Sequence, residues 1–332
     1  MTNRFRVSNA LIRRFEDLGL SPEAVLRCAG LPLTLFDQER VLLTTEELFA
    51  LYRSVEQASH DPGFGLKIGT EDRVERYDPI AIAALYARSL RDALQRMARY
   101  KQLTCPEAIH IAEGGDECRV RFEWLLTEED EPSLLVDICF AWVAEIARRG
   151  TANAVRARRI EFKRTEAERA LYEAHFGCAV AFSAPQNVLV FDQADLQRPF
   201  VTHNADVLAI VAPQLEAELA QQLAQLSLSD QVKATLKKTL AGQRPELRAV
   251  ARELGVSTRT LQRRLSDERI TFQQLIAEAR RELARHYLQH SSLELNETAY
   301  LLGYEDPNSF FRAFQQWEGT SPGEWRAASG HG

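Results

Sequence analysis

The feature that most restricts the fold of this chain is a pattern that occurs twice in its last third. In AVARELGVSTRTLQRRL, Ala251 and Gly255 stand four residues apart and are followed by Leu261 and Leu265, again four apart. In TAYLLGYEDPNSFFRAFQQW, forty-eight residues later, Ala299 and Gly303 repeat the first step. Phe310 and Phe314 repeat the apolar pair there, after a turn one residue longer. Two helices joined by a tight turn cross closely where one carries a small side chain, and the turn needs a residue that accepts positive φ. The apolar pair then supplies the inward face of the second helix. One copy fits any helical hairpin; two in one short region predict a pair of helix-turn-helix motifs.

The outward faces of the second helices carry hydrogen-bonding side chains. Ser257 is placed to cap the first of them, and Arg259, Gln262 and Arg263 follow at i, i+3 and i+4 on its outer side. These residue types read guanine and adenine edges in a major groove. The corresponding face of the second copy offers Asn308, Ser309 and Arg312. Between the copies, TFQQLIAEARRELARHYLQ places Phe272, Leu275, Ile276, Ala279 and Leu283 on one face. About nineteen helical residues span roughly 28 Å, close to the roughly 34 Å between successive major grooves on one side of B-DNA. A rigid spacer of this length sets two recognition helices one turn apart.

Charge agrees with a local nucleic-acid footprint. The chain carries a net charge of −6, yet residues 231–290 hold thirteen Lys and Arg against six Asp and Glu. Residues 291–332 reverse this, with two against six. A basic segment in an acidic chain fits double-stranded DNA at that segment and not elsewhere.

The remainder of the 332 residues is long enough for a second core. Ser21-Pro22 predicts a helix start, Thr44 with Glu47 a capping box, and DPIAIAALYARS and LRDALQRMARYKQL a further helical pair. The first hundred residues therefore read as helices. In ECRVRFEWLL the period changes to two: Cys118, Val120, Phe122 and Trp124 alternate with charged residues, and Gly114-Gly115-Asp116 turns back to AIHIA. SLLVDICFAWVAEIARRG is an apolar helix, followed by short strands near RRIEF, VAF and NVLVF and a helix at AERALYEAHFG. NADVLAIVAPQLEAELAQQLAQL is a long amphipathic stretch expected to break or bend at Pro213. The expected fold is an α+β N-terminal sensory domain, helices followed by a small mixed sheet, joined to an all-α C-terminal domain with two helix-turn-helix motifs. The boundary is placed so that residues 1–228 form the first domain and 229–332 the second.

At these residues the chain resembles a known family. AVARELGVSTRTLQRRL, the spacer, LLGYEDPNSFFRAFQQWEG and the closing TSPGEWR are similar to the DNA-binding domain of AraC/XylS transcription regulators over about residues 229–328. Ser321, Pro322 and Glu324 form a capping box on its final helix. CAGLPLTLF, DPGFGLKIG, SLRDALQRMARY, HFGCAVAF and LVFDQADLQRPF resemble the N-terminal domain of one AraC-type subgroup. That subgroup includes the regulator of ornithine use, and its domain is often labelled arabinose-binding-like. The resemblance implies a sequence-specific transcription regulator controlled by a small-molecule effector, with the six residues above contacting bases or nearby phosphates. A homodimer is the expected assembly, RNA polymerase a further partner that such a regulator can have. Two departures stand out: Gln315, Gln316 and Glu318 occupy positions where the family commonly carries Lys or Arg, and Thr298 stands where an aliphatic residue is usual.

Other chemistries lack support in the residues. There is no G-x-S-x-G, P-loop, G-x-G-x-x-G or H-E-x-x-H. The five cysteines show no C-x-x-C spacing and read as reduced core thiols. No catalytic, cofactor-binding or metal-binding residue is assigned, and no effector-binding residue either. Phe64, Leu85, Tyr86, Phe140 and Trp142 supply apolar bulk for a pocket or for plain core, while His110 and His175 read as structural. Leu208, Leu215, Leu219 and Leu226 form a candidate interface between copies or an internal packing face. No apolar run is long enough for a membrane span and no leader is apparent, so a cytoplasmic protein without membrane partners is expected. A constitutive DNA-binding protein without an effector and an enzyme fused to a DNA-binding domain are the alternatives.

Overall fold

Helix starts in the first part of the chain follow their caps. β1 (Phe5–Val7) precedes α1 (Asn9–Asp17). α2 (Pro22–Cys28) opens on Ser21, whose Oγ accepts the Ala24 N–H at 3.4 Å. After β2 (Val41–Leu43), α3 (Thr45–Ser59) opens on the capping box of Thr44 and Glu47. The Glu47 N–H donates to Thr44 Oγ1 at 3.2 Å, and the Thr44 N–H to Glu47 Oε2 at 2.9 Å. Leu48, Leu51, Tyr52 and Val55 form the buried face of this helix. α4 (Phe64–Gly69), α5 (Pro79–Leu85, capped by Asp78) and α6 (Leu90–Tyr100, capped by Ser89) follow.

The sheet comes next. β3 (Glu107–Gly114) and β4 (Glu117–Trp124) pair antiparallel around Gly115, with Ile109 opposite Phe122 and Ile111 opposite Val120. α7 (Ser133–Gly150), β5 (Arg159–Glu161), α8 (Arg169–Phe176), β6 (Ala179–Ala181) and β7 (Val188–Asp192) complete it. The strand order is β3-β4-β7-β5-β6, antiparallel except between β5 and β6. Val120, Ile160, Leu189 and Phe191 of the sheet pack on Phe140, Val143 and Ile146 of α7 and on Leu90, Leu94 and Met97 of α6. α9 (Ala205–Gln225) leads to a helical region: α10 (Leu228–Thr239), α11 (Leu247–Glu253), α12 (Thr258–Asp267), α13 (Phe272–His290), α14 (Leu295–Leu301), α15 (Pro307–Glu318) and α16 (Pro322–Ala328).

This computed structural model describes residues 5–7, 9–38, 41–71, 73–127, 129–225, 227–240, 245–290 and 293–328. The chain divides into two compact units, Met1–Leu219 and Ala220–Gly332. The division falls within α9, upstream of the joint near residue 228. The first unit has the expected α+β order, helices first and a small mixed sheet after, and the described residues of the second form helices only.

Two expectations are corrected. The N-terminal hundred residues are not helices alone, because β1 and β2 pair antiparallel, Phe5 opposite Leu43 and Val7 opposite Val41. Strands of three residues carry too little alternation to be read, and their partner is distant in sequence. Of the break or bend expected at Pro213, the break is excluded, because α9 continues through the proline. Proline removes one helical hydrogen bond and crowds the preceding turn, but packing holds the helix on both sides. Leu208 and Leu215 are buried with Ile80, Ala83 and Tyr100. Just beyond the proline, Glu216 accepts two hydrogen bonds from Arg99, at 2.6 and 2.7 Å, and one from the Tyr100 hydroxyl at 2.5 Å. Leu208 and Leu215 are thus internal core and not an interface, Leu219 packs beside them, and Leu226 lies outside the described residues.

The apolar candidates for a pocket are mostly core. Phe64, Leu85 and Phe140 are buried, and Tyr86 and Trp142 pack against the cluster under α9. His110 meets Glu123 at 2.5 Å, and His175 stacks edge-on against Phe176. Polar groups inside this unit are largely paired with each other: Lys101 with Glu107 at 2.6 Å, Arg164 with Asp137 at 2.7 Å, and Asn187 with Glu131 at 2.9 Å. Burial pushes the Glu131 carboxyl up to about 7, against the hydrogen bond from Asn187. It pushes Asp137 up to about 6, against the Arg164 cation. A carboxyl whose pKa is raised by folding binds protons more readily in the folded state, so stability rises as pH falls through these values. His175, whose pKa burial lowers, opposes this only near and below its ordinary value of 6.5. Glu131→Gln is expected to raise Tm more at pH 8 than at pH 5.5; an equal gain at both, read by thermal unfolding, contradicts the assignment.

DPGFGLKIG has a steric meaning. A Cβ on Gly69 would lie 2.5 Å from the Ile138 carbonyl oxygen and 2.7 Å from Ala141 Cβ; on Gly65 it would lie 2.7 Å from Asp137 Cβ. Two glycines four apart therefore let α4 sit directly on α7. Alanine in a helix gains about 0.5–1 kcal/mol over glycine, whereas overpacking costs about 1–3 kcal/mol, so the clash wins. Gly69→Ala should lower Tm by roughly 2–8 °C.

Candidate nucleic-acid interface

The two motifs form with matching backbone geometry. α11 and α12 meet at Gly255, where φ is +65°, and α14 and α15 at Gly303, where φ is +72°. In each, the N–H of the residue after glycine returns to the carbonyl of the small crossing residue: Val256 to Ala251 at 2.9 Å, Tyr304 to Ala299 at 3.1 Å. Ala251 and Ala299 are buried, as are Leu261, Leu265, Phe310 and Phe314. The connecting segment is one residue longer in the second motif, as its sequence indicates. Ser257 caps α12 by accepting the Thr260 N–H at 3.1 Å. Ser321 and Glu324 close the expected capping box on α16, at 3.3 and 3.0 Å. Thr298 is fully buried, and its hydroxyl donates to the Glu294 carbonyl at 3.1 Å, so it replaces an aliphatic residue without an orphaned polar atom.

The six candidate contact residues fall into two groups. Arg259, Gln262 and Arg263 are exposed on α12. None of the three side chains forms a hydrogen bond or ion pair with another described residue. Asn308, Ser309 and Arg312 are instead drawn together at the start of α15 by a residue that sequence reasoning passed over. Asp306 caps this helix: Oδ1 accepts from the Asn308 N–H and Nδ2, both at 3.2 Å, and Oδ2 from the Ser309 N–H and Oγ, both at 3.1 Å. Arg312 Nη2 donates in turn to Ser309 Oγ at 3.3 Å. These hydrogen bonds, the one from the Asn308 backbone foremost, hold the Asp306 carboxyl below its usual range. Asp-Pro before an apolar pair is the same start signal as Ser21-Pro22, so the cap was available to reading.

Residues 19–200 match the family described as the arabinose-binding domain of AraC transcription regulators, N-terminal, and residues 250–328 match a helix-turn-helix domain. The chain belongs to the AraC family of transcription regulators. It is 27% identical over 323 residues to the ornithine utilization regulator of Pseudomonas aeruginosa, covering 97% of this chain and 95% of that one. It is 26% identical over 318 residues to the transcriptional regulator VirS of Mycobacterium tuberculosis, covering 95% and 93%. Among solved structures it is similar to the regulator CdpR from Pseudomonas aeruginosa, at 21% identity and a TM-score of 0.47 over 96% of both chains.

In this AraC-family chain the basic charge is distributed unevenly between partners and solvent. Lys233 and Lys237 of α10 pair with Glu278 and Glu282 of α13. Arg281 and Arg285 of α13 both bind Glu318, whose side chain is only 6% exposed. Burial alone would raise the Glu318 carboxyl, but the Arg285 and Arg281 hydrogen bonds outweigh it and hold its pKa low. Glu318, at a position where the family commonly carries a cation, is thus turned inward. Among the described residues of the helical unit, free exposed cations concentrate on the first motif, where Arg248, Arg252, Arg264 and Arg269 join Arg259 and Arg263. Arg248, Arg252 and Arg264 escaped the sequence reading because helix periodicity cannot say which surface charges lack partners. Glu268, at the end of α12, accepts the Leu228 and Ser229 N–H groups at 3.0 and 3.1 Å and so ties the first recognition helix to the start of α10. Among the described residues no group of His, Cys, Asp or Glu is arranged to hold a metal ion, and no helix is long and apolar enough to cross a membrane.

Nothing stands within 4 Å of where a Cβ on Gly255 would lie, so its requirement is purely conformational. A left-handed non-glycine residue costs about 1–2 kcal/mol, less for Asn. Gly255→Ala should therefore destabilise by about that amount, and Gly255→Asn by distinctly less. Equal losses in denaturant titrations would place the cause in packing instead.

Proposed function

We propose that this regulator anchors on operator DNA through the first motif, residues Arg259, Gln262 and Arg263 contacting base edges or adjacent phosphates, while the second motif adjusts specificity through Asn308, Ser309 and Arg312. The observation that carries this reading is the contrast between the two recognition helices. α12 presents side chains with no internal partner. α15 begins with an Asp carboxylate that already engages its Asn, Ser and, through Ser309, its Arg. A carboxylate at that point repels phosphate, and charge neutralisation supplies much of protein–DNA affinity. The spacer α13 carries the two helices into successive major grooves of one duplex face.

Residues 1–228 act as the sensing and dimerising domain and residues 229–332 as the DNA-binding domain, the effector being a small molecule bound by the first. Paired half-sites then call for a homodimer, and RNA polymerase is the further partner at a promoter. Work of this kind is done in the cytoplasm and requires no catalysis by the chain.

Footprinting of the full chain on genomic fragments at fixed salt tests the reading. Arg263→Ala should cost roughly 1–3 kcal/mol of operator affinity, and Arg312→Ala distinctly less. The reverse order would reject the anchoring role of the first motif, and salt-sensitive coating without discrete protected stretches would reject sequence-specific binding altogether.

A further inference from the structure

The spacer helix grips the second recognition helix at both ends through side chains that do not belong to the motif. Arg280 of α13 donates from Nε to the Leu302 carbonyl at 2.9 Å and from Nη2 to the Gly303 carbonyl at 2.8 Å. Its guanidinium lies 4.2 Å from the centre of the Tyr304 ring. These two carbonyls sit in the turn from which α15 projects, just past the end of α14, where helical partners run out. At the far end, Glu318 accepts from Arg281 Nε at 2.7 Å and from Arg285 Nε and Nη2 at 2.8 and 2.6 Å. Arg281 also donates to the Trp317 carbonyl at 3.1 Å.

We infer that Arg280 is a positioning residue for DNA reading by the second motif, acting through the orientation of α15 and not by touching DNA. The inference rests on the reading that α15 enters a major groove. A helix of twelve residues is about 18 Å long. If its first turn is released while Glu318 remains fastened, a tilt of about 10° moves Asn308 by about 2.6 Å and Arg312 by about 1.6 Å, beyond what a hydrogen bond tolerates. Planarity and two donors in a fixed fork suit Arg to bridge adjacent carbonyls while stacking on Tyr304, and a lysine cannot do both.

The test is footprinting of the full chain on a DNA segment that it protects, the two halves of the footprint being assigned by Arg263→Ala and Arg312→Ala. Arg280→Met should leave the half assigned to α12 protected at the wild-type concentration, while the half assigned to α15 needs at least about tenfold more protein. Arg280→Lys should fall between. Arg312→Ala added to Arg280→Met should weaken the second half by less than about twofold more, since both act through one helix. If Arg312→Ala alone leaves the second half unchanged, the groove reading of α15 fails. If Arg312→Ala weakens it and Arg280→Met does not, or if Arg280→Met weakens both halves equally, the positioning role fails. Should Arg280→Met lose helix content by circular dichroism, Arg280→Lys, which keeps the cation over Tyr304, decides by the same half-by-half comparison.

Discussion

Helix α13 is the constraint on which the DNA-binding unit depends, because one helix belongs to two cores. Leu275, Ile276 and Ala279 complete the core of the first motif, Ala284 and Leu288 that of the second, and Leu283 packs against both. The core of the second motif has few large fully buried side chains, Leu288, Leu302, Phe310 and Phe314, and a core so small is marginal alone. Sharing a helix makes burial in one motif support the other. It also makes the distance between the recognition helices a matter of helical rise, about 1.5 Å per residue, in place of a loop's adjustable reach. The arginines at 280, 281 and 285 extend this control from distance to orientation, since they fasten the turn before α15 and its last residue to the same rigid element.

Much of this unit was legible in the sequence because its signals are local. Ala251 with Gly255 and Ala299 with Gly303 define both turns; the Leu and Phe pairs define the buried faces; Ser257 and Ser321 define helix starts. The same holds in the first unit for the capping box at Thr44, the alternation of β4 and the turn at Gly115. What escaped reading depends on residues far apart in the chain. The pairing of β1 with β2, the unbroken passage of α9 through Pro213, and the inward turn of Glu318 are each set by tertiary partners that no window of sequence contains. The candidate contact residues share this division. That Arg259, Gln262 and Arg263 lie outward follows from helical period, but that their side chains are free, whereas Asn308 and Ser309 are engaged by Asp306, follows only from the folded structure.

The first unit illustrates why sensing is harder to read than DNA binding. Its apolar side chains serve the core, and its buried ions are matched: Lys101 with Glu107, Arg164 with Asp137 and the Tyr172 hydroxyl. A buried pair of this kind costs desolvation that its mutual attraction offsets only in part, so its presence is weak evidence for stability. Glu131 is the exception in having a neutral amide as its hydrogen-bond donor, and burial, helped by the neighbouring Glu107 and Asp130 carboxylates, raises its pKa to about 7. Glycines add a second constraint. Gly65 and Gly69 admit α7 at a distance no side chain allows, which ties the helical layer to the helix that covers the sheet.

Charge partitioning finally explains how an acidic chain can hold DNA at one place. A basic count over residues 231–290 overstates the available charge, because Lys233, Lys237, Arg281 and Arg285 have carboxylate partners and Arg280 has two carbonyls. Among the described residues, what remains lies on α11, on α12 and at Arg269 just beyond it. Counterion release scales with phosphates actually neutralised, so affinity follows the free cations and not the sum over the segment. The cations of α13 are instead spent on geometry. On the proposed reading the fold separates two requirements that one residue type could otherwise serve together: arginines without partners draw the protein to the backbone, and arginines with partners hold the recognition helix at the angle from which bases can be told apart.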